Sequence, residues 1–276
     1  METNPADLKH TCANCGNVFT GYYCNICGER VLLPSDRSFR AFLNSIFLAL
    51  TLADSRFVKG LWLIVSRPGF LSKEFAEGRK VRYIKPISVF FLLNLVYFLF
   101  PLIQLFNASL RTQINSFQGK FALQAAAAKM ARLGFTDITS FSILYDQKTA
   151  GLAKMLVIVF VVIASLPLNL IYRSRNRYFT DHVGLSMELV CFNLLINALL
   201  LTLIVNLFGM GGYVDETVLT IVFVSTNLYF LIRSGLIFYG ERTLPLVLKS
   251  ILMIGVLKVA LEAYRAILFY ITLWAL

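Results

Sequence analysis

Apolar residues in this chain run on in long blocks separated by short polar clusters, instead of alternating or recurring on one helical face. A helix rising about 1.5 Å per residue needs roughly 20 apolar residues to cross a hydrocarbon core of about 30 Å. Ile87 to Phe106, Leu152 to Tyr172, Val183 to Phe208, Thr217 to Phe238 and Leu246 to Thr272 meet that length. The pattern predicts an all-α membrane protein of about five transmembrane helices. The last stretch is the weakest of the set, because it contains Lys249, Lys258, Glu262 and Arg265.

Ahead of these blocks the apolar runs are shorter. Asp36 can cap a helix carrying Phe39, Phe42, Leu43, Ile46, Phe47 and Leu50; Asp54 and Ser55 can cap a second carrying Phe57, Leu61, Trp62 and Val65 before Pro68-Gly69 stops it. Both are too short to span, which predicts interfacial helices lying in the headgroup plane or a collar packed on the bundle. A third short helix, Phe70 to Glu77, ends at Gly78. In the loop Asn107 to Gly151, helix formers from Phe121 to Leu133 are followed by Gly134, a natural stop. The organisation expected is residues 1–34 as a small ribbon, 35–86 as interfacial helices with a basic juxtamembrane tract, and 87–276 as the helical bundle.

Composition sharpens this picture. Of 276 residues 58% are hydrophobic and only 15% charged, with 24 Phe, more apolar surface than a soluble fold of this size can hide. The net charge of +11 would point to nucleic acid in a soluble protein, but most Lys and Arg flank the apolar blocks, where they act as topological anchors. Nucleic acid is therefore disfavoured as the main ligand. Residues 1–86, the loop 173–182 and the link 233–249 carry the clustered cations, whereas Gly209 to Glu216 has none and contains Asp215 and Glu216. The expected topology places the N-terminus in the cytoplasm and the C-terminus outside. Met1 to His10 lacks the apolar core of a secretory signal, so the cysteines should stay on the reducing side.

Cys12, Cys15, Cys24 and Cys27 form two Cys-x-x-Cys-Gly turns eight residues apart, the spacing of a zinc ribbon. Four thiolates fill a tetrahedron, so one structural zinc ion is expected, with rubredoxin-like iron as the competing occupant. Tyr22 and Tyr23 are available to cover the metal. His10 reads as solvent-exposed and Cys191, inside an apolar block, as a packed side chain.

The tract Gly78-Arg79-Lys80-Val81-Arg82-Tyr83-Ile84-Lys85-Pro86 leads into the first span. Arg79, Lys80, Arg82, Tyr83 and Lys85 are candidates for binding phosphate headgroups of anionic lipid, against the plainer reading of a positive-inside anchor. Together with Arg67-Pro68-Gly69, Tyr178-x-x-Asp181-His182 and Tyr264-Arg265-Ala266-Ile267-Leu268-Phe269, these elements resemble an uncharacterised bacterial family of zinc-ribbon polytopic membrane proteins. The chain departs from that pattern in one extra residue before Tyr83 and in Asp, not Glu, before His182. The resemblance implies a bacterial inner-membrane protein of unassigned function and supplies no catalytic residues.

Polar groups within the apolar blocks are the remaining candidates. Lys258, Glu262 and Arg265 share one helical face and can form ion pairs, while Asp181, His182 and Glu188 can be imagined as a proton relay at the inner face. His182 and Glu188, six residues apart, do not share a face, which argues against a dyad. Asn193 and Asn197 do share one, as interhelical hydrogen bonding requires. No glycine-rich phosphate loop, Gly-x-Ser-x-Gly elbow or His-Glu-x-x-His helix is present. The favoured function is non-enzymatic, a cytoplasmic zinc ribbon that docks a protein partner at anionic lipid, with a homo-oligomer compatible. The alternative is a membrane enzyme or transporter for a phosphate-bearing lipid or amphiphile.

Overall fold

Glycines and prolines punctuate the chain where its helices begin and end. The computed structural model describes residues 9–12, 15–28, 31, 55–79, 83–100, 103, 105–116, 119–173, 177–209, 216–242 and 244–276. By contact the chain divides into two compact units, Met1–Ser55 and Arg56–Leu276. The helix expected from Asp36 to Leu50 lies outside the described residues.

In the first unit, strands β1 (Lys9–Thr11) and β2 (Val18–Thr20) pair antiparallel, with His10 opposite Phe19. Their connection carries the first cysteine turn, closed by a hydrogen bond from the Cys12 N–H to the Asn17 carbonyl at 2.8 Å. The buried centre is small: Cys12, Phe19 and Cys24, with Val31 packed against them.

In the second unit the helices are α1 (Ser55–Ser66), α2 (Phe70–Ala76), α3 (Pro86–Leu99), α4 (Leu110–Ile114), α5 (Gly119–Leu133) and α6 (Ile138–Ile171). Next comes α7, one rod over Phe179–Leu207, α-helical to Asn193, π-helical over Leu194–Leu200 and α-helical again from Leu201. Then follow α8 (Glu216–Ile237) and α9 (Leu244–Ala275). Helix α1 is amphipathic: Phe57, Leu63 and Ile64 are buried, while Val58 and Trp62 are exposed.

Among the described residues, α6, α7, α8 and α9 are long and apolar enough to cross a membrane. Helix α3 is shorter than the twenty-residue span expected there, 14 residues or about 21 Å. The physical reason is Pro101. A residue before proline is driven out of the helical region, and Phe100 is extended at φ −105°, ψ 148°. The chain nevertheless runs the length of the bundle here. Glu77, ahead of α3, lies 3.8 Å from Arg177 at the start of α7, and the Ile103 N–H donates to the Thr202 hydroxyl near the far end of α7 at 3.0 Å.

The core follows from these long contacts. Helix α9 packs along α6, tied by hydrogen bonds from Tyr264 to the Ala153 carbonyl at 3.0 Å and from Thr272 to the Thr149 hydroxyl at 3.1 Å. Helix α7 lies against α3 and α6, where Ser186 donates to the Val161 carbonyl at 2.7 Å. At the end of the bundle that holds the C-terminus of α9, α4 and α5 cap α6 and α9 around Leu110, Ala126, Phe141, Tyr145 and Phe269. The helix expected from Phe121 to Leu133 is thus α5, ended by Gly134 at φ +76°.

Large apolar side chains face outward around this bundle, among them Phe91, Leu170, Leu207, Ile221 and Val259. Hydrocarbon solvates such a surface and water does not. The protein is an all-α, multi-pass membrane protein.

Ala126 is almost completely buried in the cap. Replacing it with Leu forces extra volume into a filled site, so Ala126→Leu should cost about 1–3 kcal/mol. A lower thermal midpoint of the detergent-purified protein is the expected result.

Candidate functional site

The cysteine turns close because each is followed by a glycine free to take a positive φ. Gly16 (φ +73°) and Gly28 (φ +75°) return their N–H groups to the carbonyls of Cys12 and Cys24 at 3.0 and 2.9 Å. The four sulfurs consequently lie within 4.8 Å of one another, with Cys12 Sγ 3.4 Å from Cys27 Sγ and Cys15 Sγ 3.6 Å from Cys24 Sγ. Those separations are far beyond a disulfide bond of about 2.05 Å, and close to the edge of about 3.8 Å expected for four sulfurs around one ion at about 2.3 Å.

Electrostatics within the cluster point the same way. The N–H groups of Cys27 and Ile26 draw the Cys24 thiol down to about 6, while the Asn17 side chain also points at that sulfur. Cys15 is lowered by the Asn17 N–H, but contacts with the other thiols and loss of solvation outweigh this and push it up to about 12. One thiolate forms readily and further ones need a cation among them. Four protein donors leave no open coordination position, so a bound metal would brace the fold and not activate a substrate.

Cover for the centre comes from Phe19 and Val31; Tyr22 and Tyr23, expected in that role, are exposed. His10 lies against the Phe19 ring at 5.9 Å.

In the bundle, Glu188 is completely buried and accepts three hydrogen bonds. The Gly69 N–H reaches Oε1 at 2.8 Å, and the Ser72 N–H and hydroxyl reach Oε2 at 2.9 and 2.5 Å. These donors lie at the start of α2, where the first N–H groups of a helix lack partners within it. Gly69 stands at φ +83°, and a Cβ there would come within 2.9 Å of Ser234 Cα and 3.2 Å of Phe238 Cβ. The Arg67-Pro68-Gly69 turn is therefore pressed between α7 and α8, with Glu188 holding it.

His182 is kept apart from Glu188. Its Nδ1 is 2.7 Å from the Tyr239 hydroxyl, and Tyr239 stacks on Tyr172 at 3.8 Å. Burial raises the Tyr239 phenol well above its usual range, so the hydroxyl stays protonated and shares a hydrogen bond with Nδ1. His182 Nε2 is buried with no hydrogen-bond partner among the described residues. Beside this stack, Lys249 lies over the Tyr172 ring at 5.1 Å and pairs with buried Glu241 at 2.5 Å. Asp181 accepts from the Tyr178 N–H at 3.0 Å, closing the start of α7.

Of the basic tract, Arg79 is engaged by Glu74, with Nε to Oε2 at 2.8 Å, and by Glu77. Tyr83 meets Phe70 edge to face and Lys59 across its ring, and Lys85 precedes the first turn of α3. Lys80 and Arg82 lie outside the described residues.

Towards the other end, Glu262 pairs with Lys258 at 3.0 Å and with Arg265 at 3.2 Å, and Arg265 also donates to the Leu105 carbonyl at 3.3 Å. Asn193 exchanges hydrogen bonds with Asn227 on α8 at 2.9 and 3.0 Å, and Asn197 binds Asn193 and Thr226. Asn227, Ser72 and Tyr239 escaped the sequence reading. Asn227 was visible as an amide inside an apolar block; nothing local marks the other two.

A family described as Protein of unknown function (DUF3667) matches residues 54–98. That stretch holds α1, the Arg67-Pro68-Gly69 turn, α2 and nearly all of α3, the part of the chain that Glu188 grips. No curated protein and no solved structure matches.

Glu188→Ala would leave the Gly69 and Ser72 N–H groups buried without acceptors, at about 1–3 kcal/mol each. The expected outcome is a lower thermal midpoint together with chymotryptic cleavage after Phe70 that the unaltered protein resists.

Proposed function

We propose that this is a bacterial inner-membrane protein whose N-terminal knob holds one zinc ion and docks a cytoplasmic protein partner at the membrane. The observation that carries the reading is a closed cluster of four cysteines wrapped in a knob that turns apolar side chains outward. Val18, Tyr23 and Ile26 are 60%, 62% and 71% exposed. So small a unit cannot bury enough surface to fold on its own, and zinc supplies what the core lacks. Zinc suits an all-thiolate tetrahedron and needs no redox role.

The proposed orientation puts the knob, Arg177, Lys249 and the basic tract on the cytoplasmic side and α4 and α5 outside. The excess of Lys and Arg in the segments that begin and end α1 to α3, α6 to α7 and α8 to α9 supports it. Helix α1 then lies along the headgroups with Trp62 and Val58 outward, and anionic lipid complements the surrounding cations.

Purified protein should carry about one zinc ion per chain by elemental analysis, and Cys24→Ser should lose it while keeping the helical content of the bundle. A metal-free native protein would sink the zinc assignment. A photo-crosslinking residue in place of Ile26 should capture a defined protein in cells, lost when Cys24→Ser is added; a crosslink that persists in that variant, or none at all, overturns the docking role. A reporter fused after Leu276 should be active only outside the cytoplasm.

A further inference from the structure

Between α7, α8, α9 and Ile103, Leu105 and Phe106 the bundle forms a partly open cavity of about 430 Å³. That volume is in the range of sites that hold small organic ligands. Most of its wall is hydrocarbon, with Leu189, Leu201, Phe223, Leu257 and Leu261 prominent. Asn193, Asn197 and Asn227 also border it, but their amides are committed to one another and to Thr226. They close a wall and offer no free donor.

The open donors are on α9. Arg265 lines the cavity and is mostly buried, with Nη1 on Glu262 and Nη2 on the Leu105 carbonyl; each of those nitrogens carries a second N–H. Lys258 lines the same cavity with its side chain 66% exposed, which places it at the mouth. Two cations share the single carboxylate of Glu262, so the polar end of an otherwise apolar cavity is left with a net positive charge.

The geometry points to a binding site for an anionic amphiphile, its carboxylate or phosphate head held by Arg265 and Lys258 and its hydrocarbon chain lying along the α7 and α8 wall. A head oxygen meets the Lys258 ammonium and the remaining N–H groups of the Arg265 guanidinium and draws on the surplus charge. A chain replaces the missing contacts of the apolar wall, which water cannot do. Neither half suffices alone. A free inorganic anion leaves the wall bare, and an uncharged chain leaves the surplus positive charge unmet.

Gly255 supplies a clean block. It lines the cavity inside α9, and a Cβ added there meets nothing within 4 Å. Leucine at this position fills the space without straining the helix.

The test uses the full-length protein in phosphatidylcholine nanodiscs and radiolabelled dodecyl phosphate. Saturable binding is expected, weakened by about tenfold or more in Arg265→Gln and lost in Gly255→Leu, with Lys120→Gln on α5 unchanged. Unlabelled dodecyl phosphate should compete, whereas dodecanol and inorganic phosphate, each at the same concentration, should not. Competition by dodecanoate supports a general anionic head, and its absence supports a phosphate head. Equal competition by inorganic phosphate, binding that survives Gly255→Leu in protein of native helical content, or no saturable component overturns the site. The knob plays no part in this measurement, so Cys24→Ser should bind as the unaltered protein does.

Discussion

Where hydrocarbon replaces water, the start of a helix has nothing outside the protein to take up its free N–H groups, and at Phe70 one carboxylate meets that need. Glu188 comes from a helix more than a hundred residues away and ends on Gly69 and Ser72. The turn it holds can approach only because Gly69 lacks a side chain against Ser234 and Phe238. From that point the placement of neighbours follows: α2 is set against α7, Glu74 and Glu77 face Arg79, Glu77 approaches Arg177, and the chain is delivered to the start of α3. A carboxylate buried in an apolar block looks like chemistry waiting for a substrate; here its oxygens are already occupied by backbone and hydroxyl donors.

Helix length and apolar character were legible from the sequence because each depends on neighbours along the chain. The blocks that became α6, α7, α8 and α9 declared themselves that way, and so did the stops at Gly78 and Gly134. Pro101 was equally visible, yet the span through it was read too long because average hydropathy outweighed a single backbone restriction. Side-chain partners across helices were another matter. Periodicity showed that Asn193 and Asn197 share a face, but only the register between α7 and α8 selects Asn227 and Thr226 as their partners. The same limit concealed the link between His182 and Tyr239, and the cover of the cysteine centre by Phe19 where Tyr22 and Tyr23 were expected.

The two compact units answer the cost of chain order in opposite ways. Met1–Ser55 has a described core of three buried residues and gathers its thiols around a point where one ion can replace a missing interior. Arg56–Leu276 instead lays long helices side by side, satisfies their backbones internally and leaves an apolar exterior for lipid. Its polar groups are placed where they join helices: Ser186 to Val161, Tyr264 to Ala153, Thr272 to Thr149.

The π-helical stretch Leu194–Leu200 gives α7 a property that a uniform helix lacks. A π turn takes in about one residue more than an α turn, and each residue advances an α-helix by about 100°. The two α-helical halves of α7 are thus spliced out of phase, like a shaft joined through an offset coupling. Contacts before the splice aim Glu188 at α2, while contacts after it bring Thr202 to Ile103 and Leu201 to the cavity. The grip on the Arg67-Pro68-Gly69 turn and the wall of the cavity therefore belong to one rod, yet the π-helical stretch gives each its own angular setting.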